Sequence, residues 1–175
     1  MGLDALSDAS AVEETGTTFE ANAKLKAETY SLRTPLAVLA EDSGIEVDAL
    51  DGAPGALSAR YGGAGLTDAE RNAKLLEALR GVPDDRRTAR FRSVIAIAHA
   101  GRTLATFEGV VSGRVLRAVR GDRGFGYDPV FIHDQAGCFG ELTTTEKQRY
   151  SHRGTAIREF LAALRGRDPR LGGLE

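Results

Sequence analysis

The sequence predicts an α/β fold, a mixed sheet flanked by helices, on three observations. Thr-x-x-Glu boxes at Thr17 and Thr67 each precede apolar residues at helical spacing. The apolar run 36–40 is followed by alternation at Ile45, Val47 and Ala49, a strand signature. Ala100-Gly101-Arg102 joins two β-rich segments as a hairpin turn would, so the sheet is not purely parallel.

The elements follow in order. Phe19, Ala23, Ala27 and Tyr30 give a helix over about 18–32, which Pro35 stops. The run 36–40 fits a buried strand that ends on Glu41-Asp42-Ser43-Gly44, and a second strand covers 45–49. Asp51-Gly52-Ala53-Pro54-Gly55 is a loop by composition. Leu75, Leu76 and Leu79 supply the apolar face of the next helix, closed by Gly81. Three β segments come next, at 89–98, 103–111 and 113–119. A glycine-rich loop over 120–128 leads into another strand at 129–132. Thr143-x-x-Glu146 opens a short helix, and Ser151 caps the last one, with Ile157, Phe160, Leu161 and Leu164 as its apolar positions. The organisation expected is one domain over 1–165 and a flexible tail over 166–175, where Gly, Arg and Pro concentrate.

Composition narrows the function classes. Of 175 residues, 42% are hydrophobic and 27% charged, which fits a globular chain and not a disordered one. Net charge is -2 with the two signs interspersed, so no basic block suggests a nucleic-acid groove. A nucleotide ligand would be free and not polymeric. The single cysteine, Cys138, allows no intrachain disulfide and no thiolate cluster, which points to a reducing compartment. The start has no basic-then-apolar leader, and Leu6 stands where a myristoylation start needs Ser or Thr. No apolar run reaches the roughly 18 residues of a membrane span. A cytoplasmic protein with no membrane partner is expected.

Three segments could carry chemistry. Glu41-Asp42-Ser43-Gly44 puts two carboxylates and a hydroxyl directly after an apolar strand. It reads either as a site for Mg²⁺, a hard cation that wants oxygen ligands, or as a solvated turn. Gly124-Phe125-Gly126-Tyr127-Asp128 offers a free backbone and two rings for a base to stack on, or a tight turn with core aromatics. Lys147 and Ser151-His152-Arg153 put basic side chains at a helix start, against the dipole, which suggests an acceptor-rich ligand or a solvated patch. His99 and His133 show no ligand spacing. Serine-hydrolase and P-loop patterns are absent.

These segments, in this order, resemble the inosine-triphosphate pyrophosphatase family. The resemblance runs through Glu13-Glu14-Thr15-Gly16-x-Thr18-Phe19-x-x-Asn22-Ala23, Lys26-Ala27, Glu41 to Gly44, Gly52 to Gly55 and Ser58 to Tyr61. It resumes at Gly124 to Pro129, Glu141 to Thr143, Glu146-Lys147 and Ser151 to Gly154. Each block is weak, but the ordered set is specific and spans nearly the whole chain. It implies Mg²⁺-dependent hydrolysis of ITP, dITP and XTP to monophosphate and pyrophosphate, by a homodimer. It also implies that Glu13 and Asp42 bind the metal and that Asp42 activates water. Ser43, Phe125, Gly126, Tyr127, Asp128, Lys147, His152 and Arg153 would contact substrate, and Lys26 would lie near the phosphates. One block is missing: family members begin with a strand bearing Thr-Gly-Asn-x-x-Lys, followed by a helix, and this sequence has neither. The alternatives are therefore a nucleotide-binding relative without turnover, or a pyrophosphatase for other modified nucleotides.

Overall fold

The computed structural model describes residue 2 and residues 8–172. Helix α1 spans Phe19–Ser31, strand β1 Val38–Val47, helix α2 Asp68–Ala78, strand β2 Thr88–His99 and strand β3 Arg102–Val115. Strands β4 (Phe131–His133) and β5 (Gly137–Cys138) follow, then helices α3 (Thr144–Tyr150) and α4 (His152–Arg165). The α/β architecture is the one expected. The sheet runs β1-β2-β3-β4-β5, and all four strand pairings are antiparallel. Ala100 and Gly101 both take positive φ, the backbone that a tight hairpin between right-twisted strands requires.

Local chemistry sets the helix starts. Thr67 and Thr143 close full capping boxes with Glu70 and Glu146. At α1 the capping residue is Thr18, whose side chain accepts from the Ala21 amide, one residue later than the Thr17 box suggests. Ser151 caps α4 by accepting from the Gly154 amide.

The strand expectations differ from the structure in three places. The two strands expected at 36–40 and 45–49 are one, because β1 pairs with β2 at every residue from Val38 to Val47. Asp42-Ser43-Gly44 is therefore mid-strand and not a strand end or a turn. The segment 113–119 is no separate strand: β3 carries pairing to Val115 and stops there. Pro129 lies in a 3₁₀ turn over Asp128–Val130, and β4 starts after it. The tail is packed as far as Leu171, which is buried against Ile95, Ile97 and Phe107; residues 173–175 lie outside the described residues.

The sheet lies between α1 and α4. On one face Val94, Ala96 and Ala98 of β2 pack against Phe19, Ala23 and Ala27 of α1. On the other, Ile95 and Ile97 pack with Ala156 of α4. The largest cluster, built on Ile45, Leu75, Leu79, Phe91, Phe131 and Phe139, joins β1, α2 and the β4 region. Gly109 is the close-approach point of β3 and α4: a Cβ there would overlap the carbonyl oxygen of His152 and the amide nitrogen of Ala156. No helix among the described residues is long and apolar enough to cross a membrane.

Candidate active site

Strand periodicity divides the motif 41–44 between the two faces. Asp42 pairs in register with Val94, so its carboxylate points to the α1 side. There Oδ1 accepts from Lys26 Nζ at 3.1 Å and Oδ2 from Asn22 Nδ2 at 3.2 Å. Asn22 and Lys26 are one helical turn apart and so share a face of α1. Lys26 Nζ also donates to Glu14 Oε1 at 2.6 Å. One ammonium thus serves two carboxylates. Asp42 is only 9% exposed, and burial raises its carboxyl above the usual range, Lys26 offsetting this only in part. Burial alone would lower Lys26, but the hydrogen bonds and charges of Glu14 and Asp42 outweigh it and the net shift is upward.

The acidic partner in this cluster is Glu14. Glu13 is exposed, while Val12, Glu14 and Gly16 are half-buried, so the alternation of this segment turns Glu14 inward and Glu13 outward. The structure does not bring Glu13 to Asp42. Glu14 and Asp42, which share Lys26, are the carboxylates that a metal ion would meet here. Among the described residues no three His, Cys, Asp or Glu side chains converge. Mg²⁺ commonly takes one or two protein carboxylates and completes its shell with water and substrate phosphate. Two carboxylates sharing a single cation, one of them desolvated, fit that donor requirement.

The opposite face of β1 opens on a cavity. Ser43, Ser58, Asp68, Phe91, Phe125 and His152 are among the residues that line it. The His152 ring stacks on Phe91 with centroids 4.8 Å apart and planes 13° from parallel. Burial pushes its imidazole down to about 3, and the Lys147 and Arg153 charges act the same way, so the ring is neutral at neutral pH. Its Nδ1 is buried without a partner among the described residues. Arg153 is held by Glu41: Nε reaches Oε1 and an outer nitrogen reaches Oε2, both at 2.8 Å. Ser93 donates to the same Glu41 at 2.7 Å. Burial would raise Glu41, but the Arg153 and Ser93 bonds prevail and hold it below its usual value.

The glycine-rich loop forms the cavity's rim. Asp128 accepts from the Phe125 amide at 2.9 Å and from Lys147 Nζ. Gly124 takes φ +77, and a Cβ there would overlap the Asp128 carboxylate. Tyr127 is buried and donates its hydroxyl to the Ser58 carbonyl at 2.8 Å. The Phe125 ring, 54% exposed, lies 4.4 Å from Lys147 Nζ and 5.1 Å from the Arg153 guanidinium carbon. A ring face attracts cations placed over it in this way, by about 0.5–1 kcal/mol at exposed sites.

The structure therefore gathers Ser43, Phe125 to Asp128 and His152 at one cavity, sets Lys147 and Arg153 against the Phe125 ring at its edge, and puts Lys26 and Asp42 on the reverse side of the same strand. Sequence reasoning missed Glu14, Asn22, Ser93 and the α2 residues Asp68 and Asn72. Only Asn22 carried a legible signal, its i, i+4 spacing from Lys26.

Comparison with known proteins places the chain among sequences and folds of one kind. Residues 2–163 match the model of the Ham1 family. A dITP/XTP pyrophosphatase of Lactobacillus acidophilus is 48% identical over 154 residues, 86% of this chain and 76% of that protein. One from Thermus thermophilus is 48% identical over 158 residues, 90% and 76% of the two chains. Among solved structures, the Staphylococcus aureus Ham1 protein superposes with a TM-score of 0.85 at 40% identity, covering 91% of this chain and 82% of that one. A nucleoside-triphosphatase / dITP/XTP pyrophosphatase of Mycobacterium abscessus gives 0.77 at 41%, covering 93% and 83%.

Proposed function

The chain belongs to the Ham1 family, and from that membership we propose that it hydrolyses the triphosphates of deaminated purines, dITP, XTP and ITP, to monophosphate and pyrophosphate. The observation that carries the reading is the division of β1. It sets a desolvated carboxylate with a lysine on one face and, on the other, an aromatic cavity with Lys147 and Arg153 against its Phe125 ring. A nucleotide straddling the strand would put phosphates at Lys26 and Asp42 and its base beside Phe125, His152 and Arg153.

In this reading Asp42 takes the proton of the attacking water. Its raised value brings a carboxylate closer to the range where a general base is effective at neutral pH. Lys26, placed between Glu14 and Asp42, neutralises phosphate charge. Glu14 and Asp42 would hold Mg²⁺, which supplies Lewis-acid neutralisation of the phosphoryl oxygens. Base choice rests on donors: Arg153 only donates, and Glu41 fixes its direction. A 6-oxo group accepts such a bond, whereas the 6-amino group of adenine leaves the donor unpaired, a mismatch that hydrogen-bonding pockets punish strongly. The same reading takes the working unit as a cytoplasmic homodimer.

The test is pyrophosphate release from dITP, XTP and dATP with and without Mg²⁺. Release from dITP and XTP well above dATP, and dependent on Mg²⁺, is expected. No release from dITP would overturn the reading.

A further inference from the structure

The glycine-rich loop is anchored on one side by a helix that the proposed chemistry does not use. Asp68 and Asn72 stand one turn apart at the start of α2 and grip the two polar groups of a single residue, Gly126. The Gly126 amide donates to Asp68 Oδ2 at 2.7 Å, and its carbonyl accepts from Asn72 Nδ2 at 2.9 Å. Asp68 divides its oxygens, giving Oδ1 to Arg71 at 2.6 Å and Oδ2 to the loop. Both contacts hold Asp68 below the ordinary carboxylate value, Arg71 contributing most.

Two features mark this contact as a device and not incidental packing. Asn72 is 3% exposed and its Oδ1 has no partner among the described residues. A buried orphan acceptor is a cost that an apolar residue would avoid, so the position keeps its amide for the donor that reaches Gly126. The second feature is what the clamp restrains. Gly124 and Gly126 flank Phe125 with φ of +77 and +59, a backbone that glycine reaches freely and also leaves freely. Phe125, Tyr127 and Asp128 are tied to their own loop, to Ser58 and to Lys147. Among the described residues Gly126 is tied only to α2, and the ring next to it is the exposed one.

We propose that Asp68 and Asn72 are positioning residues that preset the Phe125 platform through Gly126, and so govern affinity for the purine base and not the hydrolytic step. The proposal rests on the nucleotide reading of the cavity. An ordered platform spares the substrate the entropy of ordering it, which acts on binding. The hydrolytic group, Asp42, points to the other face of β1, where its hydrogen bonds go to Asn22 and Lys26 of α1.

The test uses the full chain in three variants, Asp68→Ala, Asp68→Asn and Asn72→Asp. Asp68→Ala removes the acceptor, and Asn72→Asp sets a carboxylate against the Gly126 carbonyl. Each is expected to raise KM for dITP by about tenfold, the scale of one lost hydrogen bond, with kcat within about twofold. Asp68→Asn keeps an oxygen for the amide while weakening the Arg71 pair, so its KM should stay within about threefold of the native value. Hydrogen exchange at the Gly126 amide should accelerate in Asp68→Ala and much less in Asp68→Asn. Loss of kcat with unchanged KM, or an Asp68→Asn variant as impaired as Asp68→Ala, would overturn the clamp. If the native chain leaves dITP intact, the nucleotide reading fails by itself. Gly126 exchange still decides the clamp in that case, and an unaccelerated amide in Asp68→Ala rejects it.

Discussion

Asp42 and Ser43 are consecutive residues that leave β1 on opposite faces, Asp42 toward Asn22 and Lys26 and Ser43 toward the cavity of Phe91 and His152. A single strand thus separates the carboxylate centre from the aromatic one by the thickness of its own backbone. Substrate recognition and hydrolysis can then be perturbed independently.

Asp42→Asn should lower turnover of dITP by about 10²–10⁴-fold, the usual contribution of a positioned base. The folded Asp42 value is raised, so its stabilising contribution exists below the ordinary 3.8 and is lost as pH rises through the raised value. At neutral pH the ionised carboxylate therefore costs stability. Asp42→Asn should melt at the same temperature as the native chain or higher, with the advantage vanishing in acid. In the native chain kcat/KM should fall as pH drops below the raised Asp42 value. A less stable Asp42→Asn that keeps its turnover would contradict the assignment.

His152 should stay neutral down to about pH 3. Because its folded value lies below the unfolded 6.5, its contribution to stability is complete above 6.5 and declines as pH falls from there toward 3. Imidazole chemical shifts followed by NMR, together with acid unfolding, check both statements. A midpoint near 6.5 would mean that the ring is solvated and not stacked on Phe91.

Gly109→Ala should destabilise the chain by about 1–3 kcal/mol, as overpacking does, because the added methyl meets backbone atoms of His152 and Ala156 that cannot swing aside. The displacement falls on the first turn of α4, so KM for dITP should rise as well. Denaturant melts and steady-state kinetics on one preparation measure the two effects.

Lys147→Met should cost about 3–5 kcal/mol, because it strands a charge on the fully buried Asp128. The double variant Lys147→Met with Asp128→Asn should recover most of this. Arg92→Met, which breaks an ion pair with Glu108 on a half-exposed surface, should cost about 0–1 kcal/mol. Chemical denaturation ranks the three.

Much of the fold was legible because its signals are local. The boxes at Thr67 and Thr143 and the Ser151 cap start helices where the sequence places them. The apolar positions of α1 became its buried face. What misled was also local chemistry overruled by pairing. Glu41-Asp42-Ser43-Gly44 has the composition of a turn, yet β2 hydrogen-bonds along it without a break, and long-range ladders outweigh turn propensity. Glu13 and Glu14 are chemically alike, and only the burial alternation of an extended segment distinguishes them. The clamp on Gly126 joins residues more than 50 positions apart, separated by 58 and 54 in sequence, and no spacing rule reaches that far.

The register of β1 against β2 also bears on which changes of chain length this protein can accept. A substitution alters one side chain, but one residue inserted or deleted between Val38 and Asp42 would move the whole strand by half a pleat repeat. Asp42 would then face the aromatic cavity and Ser43 the lysine, with every residue of both motifs still present in the sequence. Length variation among relatives should therefore gather in the connections before Val38 and after Val47, where an extra residue changes a loop and leaves the facing intact. An alignment gap inside this strand would signal altered chemistry more reliably than the loss of any single conserved-looking letter.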